Sequence, residues 1–216
     1  MLIKERMSYP VISLPPDTPV HDARNLFRQE NIRRAPVVKN GKLVGIVSIQ
    51  DLIDATPTKA TSLSRWEINY LLSKLTVDEI MTKDVTTIDE DTPIEQAARI
   101  MADKKIGGLP VLREGKVAGM ITETDLFKVF LEMMGAREVG VRVTALVDDQ
   151  PGILNRITSA VAEVGGSFIS FGQFAGEDVA TRLIVFKVSG AKKDDIKKAI
   201  KDVAKEVWDI RECSSN

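Results

Sequence analysis

Apolar positions along this chain switch between two periods, and the same succession of periods occurs twice. A short apolar run at residues 11–14, closed by Pro15-Pro16, predicts a strand. Val20, Ala23, Leu26 and Phe27 then fall on one face of a 3.6-residue repeat and predict a helix, opened by Thr18-Pro19. Two apolar runs flank Gly41, and a second helix follows Ser48. The pattern returns after a shift of 74 positions, which superposes Pro36 on Pro110, Gly41 on Gly115, Gly45 on Gly119, Ser48 on Thr122 and Asp51 on Asp125. Ile94, Ala97, Ile100 and Met101 repeat the helical stripe, and Thr92-Pro93-Ile94-Glu95 reads as a capping box. Each copy therefore predicts strand, helix, strand, strand, helix.

Between the copies, residues 55–64 read as a loop. Ser64 and Glu67 then open a helix whose Ile68, Leu71, Leu72 and Leu75 form an apolar stripe, with Trp66 and Tyr70 nearby. Past Phe130 the periods change. Residues 141–147 alternate as a half-buried strand, and Ile153, Leu154, Ile157, Val161 and Val164 predict a helix ended by Gly165-Gly166. Strands at 168–174 and 180–188, a helix at 192–204 and a last strand at 207–211 complete a βαββαβ order. That order implies a four-stranded antiparallel sheet with two helices on one face. The fold class is α+β, divided as 1–58, a connecting helix 59–78, 79–130, a linker 131–139 and a last domain 140–216.

Composition narrows the chemistry. With 30 Lys and Arg against 31 Asp and Glu, the net charge of −1 gives no field suited to nucleic acid or an anionic membrane. The charge run at residues 192–201 reads as a solvated helix face. Cys213 is the single cysteine and His21 the single histidine, which removes disulfide frameworks and most His/Cys metal sites. No catalytic constellation and no metal site is expected. The first residues lack a signal peptide's apolar run, and no span approaches the ~20 apolar residues that cross a bilayer, so a cytoplasmic location is expected.

The repeated Ser/Thr-x-x-Asp has two readings. Ser48 and Thr122 stand at N-cap positions and Asp51 and Asp125 three residues on, so each pair can close a helix start upon itself. An acceptor-only carboxylate there also suits the paired hydroxyls of a ribose. Within this motif the chain resembles the CBS domain pair family over roughly residues 7–130. The resemblance rests on Gly45-Ile46-Val47-Ser48-Ile49-Gln50-Asp51 and Gly119-Met120-Ile121-Thr122-Glu123-Thr124-Asp125. It implies two βαββα copies about a pseudo-twofold axis, with a cleft for AMP, ADP, ATP or S-adenosylmethionine as a regulatory ligand and no required cofactor. By resemblance, Asp51 and Asp125 hold ribose hydroxyls, Ser48 and Thr122 contact ribose or phosphate, and the stretch Arg33, Arg34, Ala35, Pro36 borders the ligand. The second copy carries Gly107 and Gly108 opposite the two arginines. One electropositive end is therefore expected, since a guanidinium fork matches phosphate oxygens while glycines let backbone approach a base or sugar.

The last segment resembles an ACT domain, on the strand 141–147 followed by Asp148-Asp149-Gln150-Pro151-Gly152-Ile153-Leu154. The resemblance implies side-by-side dimerisation and an amino-acid site near Asp149, Gly152, Ile153 and Leu154. Ser167 stands where amino-acid-binding members often carry Asn, so a purely dimerising role is the competing reading. The whole order of CBS, CBS and ACT resembles the accessory proteins of bacterial acetoin utilisation. It implies a non-catalytic regulatory homodimer or higher homo-oligomer that senses an adenosine nucleotide. The alternative is an oligomerisation scaffold with vestigial ligand sites.

Overall fold

The apolar runs flanking Gly41 and Gly115 pair as antiparallel hairpins in the computed structural model. It describes residues 1–55, 64, 66–67, 70 and 74–214. In the first hairpin β1 (Arg34–Lys39) pairs with β2 (Lys42–Ser48). The turn residues Asn40 and Gly41 hold φ of 51° and 76°, the doubly left-handed turn whose twist matches the strands it joins. The second copy reproduces it with Glu114 and Gly115.

Two units emerge, Met1–Leu126 and Phe127–Asn216. In the first, the first copy adds α1 (Val20–Gln29) and α2 (Ile49–Asp54) to its hairpin. A short α3 (Val77–Ile80) leads to the second copy, built from β3 (Ile88–Asp89), α4 (Ile94–Lys104), β4 (Gly108–Arg113), β5 (Lys116–Thr122) and α5 (Glu123–Met133). Phe27, Val37, Val47, Leu52 and Val77 pack one core. The sequence expectation of a strand at 11–14 is corrected, because only Leu14 bridges to Val37. Pro10, Pro15 and Pro16 around it supply no N–H to a ladder. Of the connecting-helix stripe, Ile68, Leu71 and Leu72 lie outside the described residues. Leu75 packs on the first core, and Trp66 stacks on Tyr70 with centroids 5.7 Å apart.

The expected hydroxyl caps on α1 and α4 are also corrected. Pro19 and Pro93 occupy the N-cap positions, and no side chain caps either helix. Backbone from elsewhere does the work: Val20 N donates to Leu75 O, and Ile94 N donates to Met1 O. These acceptors are themselves related by the repeat shift. Val77 N donates to Thr18 O and Ile3 N to Thr92 O. Ile46 exchanges both backbone bonds with Thr82, and Met120 does so with Ser8. Residues 1–8 therefore complete the second copy, and residues 75–82 complete the first. The first residues are thus part of the fold, and Ile3, in a 3-10 turn (Ile3–Glu5), is fully buried.

The exchange also explains the signature glycines. A Cβ on Gly119 would lie 2.6 Å from Met7 Sδ and 2.8 Å from Ser8 O, and one on Gly45 would lie 2.8 Å from Met81 Cγ. The crossing segments leave no room there for a side chain.

The second unit contains β6 (Gly140–Asp148), α6 (Ile153–Glu163), β7 (Ser167–Ala175), β8 (Thr181–Ser189), α7 (Lys193–Lys201) and β9 (Glu206–Cys213). Its antiparallel sheet runs β7-β8-β6-β9, as the βαββαβ order implies. Val143, Phe186, Ile157, Val161 and Ile196 fill the core between sheet and helices. Leu154, expected on the buried stripe, is 49% exposed. Lys187 is 4% exposed on β8, and its ammonium donates to the carbonyls of Gly135 and Glu138, tying residues 135–138 to the sheet.

Candidate functional site

A cleft of about 310 Å³ opens between the two repeated copies at the Asp51 end. Its centre is the end of β2, where Ile46 and Ser48 face the same way by strand alternation. On one edge of β2, Arg34 of β1 stands in register with Ser48. On the other edge runs the crossing segment, with Thr82 paired to Ile46 and then Asp84 and Thr86. The second copy closes the cleft with Lys105, Gly107 and Gly108.

Both readings of the Ser/Thr-x-x-Asp motif meet in these bonds. Asp51 Oδ2 accepts from Ser48 N and Ser48 Oγ, each at 2.7 Å, while Asp51 N donates weakly to Ser48 Oγ at 3.3 Å. Asp125 Oδ2 accepts from Thr122 N at 3.0 Å and from Thr122 Oγ1 at 2.7 Å. Each aspartate thus stabilises its own helix start through one oxygen. Oδ1 of Asp51 accepts from no described residue, and the side chain lines the cleft, so capping leaves half of the carboxylate available. Asp125 is only 8% exposed.

Arg34 and Arg33 separate clearly. Arg33 is exposed and does not line the cleft, whereas Arg34 is half-buried across the glycine pair. A Cβ on Gly107 would collide with the Arg34 guanidinium and come within 2.8 Å of Glu123 Oε2, and a Cβ on Gly108 would lie 2.9 Å from Arg34 Cδ. The glycines therefore make room for the arginine, rather than for a base or sugar as their composition suggests. Arg34 makes no hydrogen bond or ion pair with any described residue. Burial pulls its guanidinium below its ordinary pKa, opposed first by the Glu123 carboxylate. A guanidinium remains charged under any ordinary condition, so Arg34 presents a half-buried cation to the cleft.

Ala35 and Pro36 are buried within β1 and do not line this cleft. Lys105, Ile46 and the wall at residues 82–86 were not found by sequence reasoning. Lys105 has φ of 54°, matching Asn31 at 51° in the first copy. Asn is the residue type that signals a left-handed helix end, and lysine at the same place hides it.

In the second unit the amino-acid candidates divide. Asp149 is held by Arg182, with Nη2 to Oδ2 at 2.7 Å. Gly152 has φ of 85° at the start of α6, with no side-chain cap, and Ile153 is buried. Ser167 lies past the other end of α6, whose 11 residues span roughly 16 Å, so one chain does not bring it to the Gly152 loop. Among the described residues, no group of His, Cys, Asp and Glu could hold a metal, and no helix is long and apolar enough to cross a membrane.

A duplicated hairpin-and-helix unit with a ligand-sized cleft, followed by a four-stranded βαββαβ sheet, defines a tandem regulatory-domain class. The chain belongs to the CBS domain family, which it matches over residues 3–57 and 77–132, and residues 139–211 match the TTHA0829-like ACT domain. Among curated relatives, a CBS domain-containing protein of Dictyostelium discoideum is 32% identical over 136 residues, 62% of this chain and 94% of the relative. The L-aspartate semialdehyde sulfurtransferase of Methanocaldococcus jannaschii is 31% identical, but the match spans only 23% of it, against 60% of this chain.

Among solved structures, the CBS domain pair of protein MJ0100, in complex with 5′-methylthioadenosine and S-adenosyl-L-methionine, is 31% identical. That match has a TM-score of 0.50 and covers 60% of this chain and 95% of the other. CBSX2 in complex with AMP is 28% identical with a TM-score of 0.52, over 61% and 97%. A Vibrio cholerae protein assigned by its name to acetoin utilization (AcuB) is 28% identical with a TM-score of 0.53, over 64% and 96%. Over its CBS pair the chain is AcuB-like.

Proposed function

We propose that this protein is a non-catalytic regulatory protein that senses an adenosine nucleotide, or S-adenosylmethionine, in the cleft at Asp51. The observation that carries this reading is a pair of groups on one cleft that hydrogen-bond to no described residue: Asp51 Oδ1, an acceptor for ribose hydroxyls, and the Arg34 guanidinium, a donor fork for phosphate. Lys105 adds a second cation to the lining of the cleft. The MJ0100 and CBSX2 complexes support the adenosine class. Ligand drawing on β2 of one copy and on Gly107-Gly108 of the other favours one arrangement of the copies, and that bias is the signal. Ser48, Asp51 and Arg34 are the ligand residues. Arg33, Thr122 and Asp125 do not line this cleft, and the low exposure of Asp125 favours a structural role.

The ACT domain serves homodimerisation in this reading. The separation of Ser167 from the α6 start favours dimerisation over an amino-acid site within one chain. Acetoin utilisation is the physiological setting that likeness to the V. cholerae protein supports. A scaffold with vestigial sites is the second reading, favoured by the two aspartates that cap their own helices.

Thermal unfolding with millimolar AMP, ADP, ATP or S-adenosylmethionine separates the two. A ligand at a hundred times its Kd contributes about 2.7 kcal/mol, which for units of this size raises Tm by roughly 5 °C or more. Asp51→Ala abolishes that rise. A wild-type chain whose Tm ignores all four compounds is a scaffold.

A further inference from the structure

The wall of the cleft opposite Arg34 carries a carboxylate that no part of the reading above employs. Asp84 lines the cleft and makes no hydrogen bond or ion pair with any described residue, while its neighbour Lys83 pairs with Asp78 at 3.6 Å. Its position relative to Arg34 follows from strand pairing. β2 has β1 on one edge, with Arg34 beside Ser48, and residue 82 of the crossing segment on the other, beside Ile46. Phosphate, ribose and base are joined in that order in a nucleotide. With phosphate at Arg34 and ribose at Ser48 and Asp51, the base extends toward Ile46 and residues 82–86. Ile46 offers it an apolar face, and Asp84 is the ionised group on that wall.

We propose, resting on the nucleotide reading, that Asp84 determines base specificity by accepting a hydrogen bond from the 6-amino group of adenine. An ionised carboxylate only accepts, so it rewards a base edge that presents a donor. Adenine presents N6–H₂ at its 6 position, where a 6-oxo purine sets an oxygen against the carboxylate and offers an N–H only at the neighbouring N1. Thr86, on the same wall, accepts from Lys104 Nζ at 3.0 Å.

The test is calorimetric titration of the full chain with AMP and with purine riboside 5′-monophosphate, which lacks the amino group. A hydrogen bond to a charged partner separates the two by roughly 10- to 100-fold in wild-type protein. Asp84→Ala brings the ratio close to one by weakening AMP alone, and Asp84→Asn, which keeps a carbonyl acceptor, retains part of it. An AMP preference unchanged in Asp84→Ala overturns the assignment while leaving the nucleotide site in place. Absence of binding heat for both compounds in wild-type protein removes the nucleotide reading itself.

Discussion

One carboxylate oxygen of Asp51 carries the helix cap, which leaves the other for the proposed ligand. Asp51 Oδ2 is spent on Ser48, so replacing Asp51 by Ala costs about 1 kcal/mol of stability with or without nucleotide. The loss of ligand-induced stabilisation comes on top, and comparing the two losses in one chemical-unfolding series checks the division of labour. Arg34→Ala is expected to leave unliganded stability nearly unchanged, because the guanidinium hydrogen-bonds to no described residue and loses only the attraction of nearby carboxylates such as Glu123, while weakening a phosphorylated ligand at least tenfold by calorimetry. At the far side of the unit, Glu90 accepts from Arg113 Nε at 2.5 Å and Nη2 at 2.7 Å, which holds its carboxyl below the usual range. A depressed carboxylate stabilises the fold fully above its unfolded value, about 4.3, and loses that contribution as pH falls through the folded value. Glu90→Gln therefore flattens the acid limb of Tm against pH below about 4.3, and an unchanged limb contradicts this role.

The elements show what was legible and what was not. Helix stripes and hairpins could be read because they are local: Val20, Ala23 and Phe27 are buried as their spacing requires, and Asn40-Gly41 is a turn in its own right. The caps of α1 and α4 could not, because their acceptors, Leu75 O and Met1 O, lie far away in sequence. The same non-local exchange hid the cleft wall at residues 82–86, which belongs to the first copy although it follows the second helix of that copy by many residues. The exchange has a measurable consequence at its two glycines. Gly119→Ala meets the fixed backbone oxygen of Ser8 and is expected to cost roughly 1–3 kcal/mol. Gly45→Ala meets only the flexible Met81 side chain and costs less. Urea unfolding of both variants gives the order, and equal losses contradict it.

At the scale of the whole chain, the repeat shift of 74 residues pairs Asp51 with Asp125, yet the two aspartates are unequally exposed. Asp51 lines an open cleft with Arg34 and Lys105, and Asp125 is nearly enclosed. The divergence between Arg33-Arg34 and Gly107-Gly108 was visible in the sequence. That the arginine would lie on the glycines was not, since it depends on how the two copies face each other. Light scattering of the ACT-containing full chain is expected to give a dimer, and a monomer at micromolar concentration contradicts the role assigned to that domain. The central claim is most directly tested by counting ligands, with AMP titrated calorimetrically into the full chain. One AMP per chain, lost in Asp51→Ala and kept in Asp125→Asn, is the expected result. Two equal sites per chain, or a site that survives Asp51→Ala, would contradict it.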